Sequence, residues 1–143
     1  MEFEIEWVDP SLVICRTFGV GTVESYRALM RALTSDPQFR PGIDVIIDHT
    51  KVDISALTAA EIEQIASLRV QFMGATARRA VGVVGPNSPM RYGLGRMFEA
   101  HVASQAGTKV ELFKTLEEAM AWLRPDDAVV SPRTPSEDIS TSR

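Results

Sequence analysis

The chain has 143 residues, 45% hydrophobic and 24% charged, which suits one soluble domain with one sizeable core. Its 15 Lys and Arg against 19 Asp and Glu leave a formal net charge of −4, which offers no electrostatic footprint for nucleic acid or an anionic membrane. No apolar run approaches the roughly 20 residues of a membrane span, the acidic, alternating start "MEFEIEW" is the opposite of a signal peptide, and the lone Cys15 excludes an intramolecular disulfide and a cysteine zinc set. These features predict a cytoplasmic protein with no metal and no cofactor.

"FEIEWV" alternates apolar and polar residues, as a half-buried strand does. Asp9-Pro10 signals a turn, and "LVICRTF" follows as a second, antiparallel strand. Gly19 and Gly21 break the chain before Thr22, an N-cap for a helix from about 23 to 34. Val23, Tyr26, Met30 and Leu33 form its apolar face. After "SDPQFRPG", "IDVIIDH" reads as a third strand buried on both faces. A loop leads to a second helix from about 59 to 73, with Gly74 in its C-cap region. "AVGVVG" is a fourth buried strand. Ser88 caps a third helix with Pro89 at its first position and Met90, Leu94, Met97, Phe98 and Val102 on its buried stripe. "KVELFK" is a fifth strand, and "TLEEAMAWL" a fourth helix with a Thr115–Glu118 capping box and Leu116, Ala119, Met120 and Leu123 inward. Residues 126 to 143 form a polar tail rich in Ser, Thr, Pro and Asp, outside the domain of residues 1 to 125.

The order β-β-α-β-α-β-α-β-α predicts an α/β fold: a five-stranded mixed sheet, first strand antiparallel and the rest parallel, with four helices. With "FRPGIDVIIDHT" entering the middle of the sheet, "AVGVVG" and the terminal "VELFKTLEEAMAWL", the chain resembles the SpoIIAA-like family of the STAS (sulfate transporter and anti-sigma-factor antagonist) superfamily over roughly residues 2 to 125. In the antagonist branch the loop after the central strand carries an Asp-Ser-Ser-Gly or similar motif, whose first serine is phosphorylated by a partner kinase. The resemblance lays Ala56 on the Asp, Leu57 on the acceptor serine, Thr58 on the next hydroxyl and Ala59 on the glycine, so the acceptor is missing; a one-residue slip would bring Thr58 onto it.

Thr58 and Glu61 also make a Thr-x-x-Glu capping box, which explains the threonine without a kinase. Ser55 is a loop hydroxyl suited to a local turn bond. Neither is expected to be a phosphorylation site. Asp48, His49 and Thr50 are placed at the carboxyl end of a parallel strand, where open α/β sheets put ligands, with His49 as a partly exposed loop residue. Asn87 and Ser88 face the same edge from the next loop, at a helix start with free N–H groups. These five are the candidate ligand residues. No Gly-x-Gly-x-x-Gly, P-loop lysine, Ser-His-Asp set or carboxylate pair indicates a nucleotide or a reaction.

The second helix carries a wide apolar arc. Ile62, Ile65, Ala66, Leu68, Val70, Phe72 and Met73 span about 200° of it, with Arg69 near the middle. Either the arc contacts a second subunit or protein through Leu68, Arg69, Val70, Phe72 and Met73, or a neighbouring helix covers it while Arg69 stretches to solvent. The resemblance to the SpoIIAA-like family implies a non-enzymatic regulatory or protein-interaction module, as a homodimer or with a protein partner. The alternative is a carrier of an apolar or anionic small ligand, bound where strands 3 and 4 end.

Overall fold

A computed structural model of the chain describes residues 1–73, 77–85, 88 and 109–125. The strands are β1 (Glu2–Asp9), β2 (Leu12–Val20), β3 (Ile43–Asp53), β4 (Ala77–Val83) and β5 (Lys109–Phe113). The helices are α1 (Val23–Ser35), α2 (Ala59–Met73) and the C-terminal α3 (Leu116–Leu123). The helix expected after β4 and the tail from residue 126 lie outside the described residues.

One five-stranded sheet runs in the order β1-β2-β3-β4-β5. β1 is antiparallel to β2, and the other three pairs are parallel. This is the mixed sheet that the element order predicts. β3 is central and buried on both faces, because its apolar run supplies alternate residues to two cores. Ile43, Val45 and Ile47 join Val13, Cys15, Tyr26, Leu29, Leu33, Ile62 and Ile65 beneath α1 and α2. Ile46 joins Leu12, Ile14, Val81, Val83, Ala119 and Leu123 on the face that α3 covers. In α1, Tyr26, Leu29, Met30 and Leu33 are buried, the face its periodicity marks.

The main departure from the sequence reading is the length of β3. The expected strand stops at His49, but β3 continues to Asp53. β4 reaches only the level of Asp48, whereas Lys51, Val52 and Asp53 pair with Phe18, Gly19 and Val20 of β2. The extra pairing partner is what carries the polar "TKVD" on as a strand. An irregularity between Arg16 and Phe18 absorbs the register change.

A polar knot ties the opposite, amino-terminal edge. Asp44 is 1% exposed and accepts two-pronged bonds from Arg79 (3.0 and 2.9 Å) and Arg78 (3.3 and 3.0 Å). Arg124, just past α3, adds a bond at 2.9 Å and also donates to Leu123 O and Ser11 Oγ. Burial alone would raise the Asp44 pKa; the bonds from Arg79, Arg78 and Arg124 outweigh it and hold the carboxyl at about 2. Among the described residues no helix is long and apolar enough to cross a membrane.

Candidate functional site: the carboxyl edge of the sheet

Two helix starts stand side by side at the carboxyl edge. Gly21 N donates to Asp53 O at 2.8 Å, which fastens the loop before α1 to the end of β3. Thr22 caps α1: its hydroxyl accepts from Ser25 N at 3.1 Å, and Ser25 Oγ accepts from Thr22 N at 2.9 Å. Thr58 caps α2 in the same reciprocal way. Its hydroxyl accepts from Glu61 N at 3.1 Å, and Glu61 Oε1 accepts from Thr58 N at 2.9 Å.

Between Asp53 and Thr58 the loop is tightly built. Asp53 Oδ1 accepts from Ser55 N at 2.9 Å, and Leu57 N donates to Ile54 O at 3.0 Å. The bonds from Ser55 lower the Asp53 pKa. Ile54 is buried and Leu57 half-buried on the core below α1 and α2, leaving Ser55 and Ala56 exposed at the tip. An open groove of about 860 Å³ runs between α1 and α2, lined by Thr22, Glu24, Arg27, Glu61, Gln64 and Gln71 among others.

Of the described candidate ligand residues, Asp48 and Thr50 come together and His49 does not join them. Thr50 N and Oγ1 both donate to Asp48 Oδ1, at 2.9 and 2.6 Å, so these two satisfy each other. His49 points to the opposite face, because neighbours on a strand alternate. Expected as a partly exposed loop residue, it is instead a buried strand residue at 5% exposure, since β3 runs past it and α1 lies over it. Ser88 is half-buried, with its N–H donating to Gly85 O at 3.1 Å, while Asn87 lies outside the described residues.

His49 belongs to a buried polar cluster that few local signals announce. Tyr26 OH and His49 Nδ1 share a 2.7 Å hydrogen bond. Thr17 is also buried and donates to Asp48 O at 2.8 Å. Burial, with the Arg69 charge adding to it, lowers the His49 pKa to about 3, so the ring is neutral near pH 7. Burial pushes the Cys15 thiol up to about 12 against the opposing pull of Arg69, which leaves no reactive thiolate. Burial also raises the Tyr26 phenol and lowers Arg69 to about 10, the latter opposed by Cys15 and Tyr26. The one legible hint was Arg69 inside an apolar arc.

That arginine also changes the reading of α2. Arg69 is 4% exposed, so its stem does not stretch to solvent. Leu68 and Met73 are likewise buried and Phe72 is half-buried on the same core, all within the single chain. Burial within the single chain thus accounts for Leu68, Arg69, Phe72 and Met73 without a partner, while the side chain of Val70 lies outside the described residues. Among the described residues no group of three or more His, Cys, Asp or Glu could hold a metal ion.

A β-β-α-β-α-β order with a central strand buried on both sides and two capped helices at its carboxyl edge makes an α/β domain, and comparison with solved structures shows that its fold is SpoIIAA-like. One similar structure is an uncharacterized protein of the DUF3478 family with a SpoIIAA-like fold from Shewanella loihica PV-4: TM-score 0.56, 19% identity, covering 85% of this chain and 92% of that one. Another is the anti-sigma factor antagonist SpoIIAA in its unphosphorylated form: TM-score 0.52, 18% identity, covering 86% of this chain and 98% of that one. Neither a family model nor a curated protein matches the chain.

Proposed function

We propose that this protein is a non-enzymatic regulatory module that works by binding another protein, through the Ser55–Ala56 loop tip and the adjoining groove between α1 and α2. The observation that carries this reading is the form of the carboxyl edge. Its loop is held by an Asx turn, a backbone turn and a capping box, yet its tip is exposed, and an open groove runs between the two helices that start at this edge. A rigid, exposed edge loses little entropy when a protein docks on it. The SpoIIAA-like fold supports the same reading, since one solved relative of that fold is an anti-sigma factor antagonist.

In this reading Thr58 is a cap and not a switch, because its hydroxyl already serves the Glu61 N–H. The carrier alternative has less support: Asp48 and Thr50 bind each other, and His49 lies on the other face. The test is a photoreactive amino acid placed in cells at Ala56, at Gln64 or, as a control on the α1–β3 connection, at Gln38. Crosslinks to one protein from the first two positions and not from the third are expected. No crosslink from any position, with a small molecule retained on the native protein in mass spectrometry, would transfer the case to the carrier.

A further inference from the structure

β1 lies at one side of the sheet and, among the described residues, pairs only with β2. Its outer side therefore presents the main-chain N–H and C=O groups of an eight-residue strand, a ready template for another strand. The register with β2 is regular from Glu2 to Trp7, with an irregularity only between Trp7 and Asp9. No proline interrupts it, since Pro10 comes after the strand.

The two faces of β1 differ in chemistry. Phe3, Ile5 and Trp7 are half-buried against the core beneath α1. Glu2, Glu4 and Glu6 are exposed on the other face. Glu6 bonds Arg16 of β2 at 2.6 Å. On that face α3 packs against β3, β4 and β5, so no described helix overhangs the glutamates.

We propose that the outer edge of β1 is a docking site for an extended segment of a partner protein, one that alternates Lys or Arg with apolar residues. Pairing with β1 would set every second side chain of such a segment beside Glu2, Glu4 and Glu6 and the others beside Phe3, Ile5 and Trp7. Charge decides the occupant. A second copy, paired antiparallel about a two-fold axis, would set glutamate against glutamate, which is unfavourable for residues directly opposite. The site is built from the main chain of residues 2–9 and does not depend on the loop surface proposed above.

The test is titration of the full chain with a synthetic peptide of about ten residues, a strand's length. It alternates lysine with valine or isoleucine, and a matched peptide carries glutamate for lysine. Binding of the lysine peptide, with slowed amide exchange in residues 2–9 and weakening as salt is raised, is the expected result. The glutamate peptide should bind about tenfold more weakly. Glu2→Lys together with Glu4→Lys should reverse the order, and both positions are exposed, so the fold tolerates them. Binding of neither peptide, equal binding of both, or protection mapped outside residues 2–9 would overturn the proposal. So would self-association of the chain alone that protects β1, because the occupant would then be a second copy.

Discussion

Arg124 donates to Asp44 at 2.9 Å across 80 positions of sequence. The bond joins the end of α3 to the start of the central strand, and the Arg78 and Arg79 forks close on the same carboxylate. Asp44→Ala would leave these guanidinium groups without their shared anion. Arg78 is 57% exposed and rehydrates easily, but Arg79 and Arg124 are mostly buried, at 19% and 17%. Breaking such a pair from one side should cost about 3 kcal/mol in urea unfolding, with α3 losing amide protection first.

Asp44 also predicts an acid limb. Its pKa is depressed from 3.8 to about 2, so its contribution is fully present above 3.8 and is lost as pH falls through that range. The loss should be about 2 kcal/mol, visible as a drop in unfolding midpoint between pH 4 and pH 2 that Asp44→Asn abolishes.

His49 acts in a higher window. Its pKa falls from 6.5 to about 3 on folding, so between those values the unfolded chain holds a proton that the native chain does not. Stability therefore declines as pH falls, by about 2 kcal/mol from pH 7 to pH 5. Tyr26 bonds the ring and the Arg69 charge acts on it, and neither can hold the protonated form. Urea midpoints at the two pH values check this; His49→Gln, which removes the titration, should flatten the difference.

Thr58→Ala should cost about 1 kcal/mol, the usual worth of an N-cap. Phosphate should be absent from Thr58 and Ser55 in protein isolated from cells and mapped by mass spectrometry. High occupancy at either hydroxyl would turn the α2 start from a cap into a switch.

A Cβ added at Gly82 would lie 2.6 Å from Leu112 Cδ2, so β4 and β5 are matched there by the absence of a side chain. Gly82→Ala should destabilise by about 1–2 kcal/mol through overpacking. Leu112→Ala made in the same chain should recover about 1 kcal/mol of that, a coupling that a double-mutant cycle would measure.

Local rules made most of the architecture legible. Alternation marked β1, a continuous apolar run marked the buried β3, and Thr-x-x-Glu marked the start of α2. Each of these signals lies within a few residues of the element it specifies, so the succession of elements and the caps were determined by the sequence itself. Tertiary structure decided what depends on partners distant along the chain. β3 extends to Asp53 because β2 is there to pair with it, and this turns His49 from a loop residue into a buried one. Asp44, in an apolar strand, is tolerable only because Arg78, Arg79 and Arg124 arrive from two other elements. Arg69 is held inside by its place between sheet and helix, and no spacing along α2 could report whether its charge met water, a partner or the core. Burial of charge depends on what three dimensions bring near, and that information is not local.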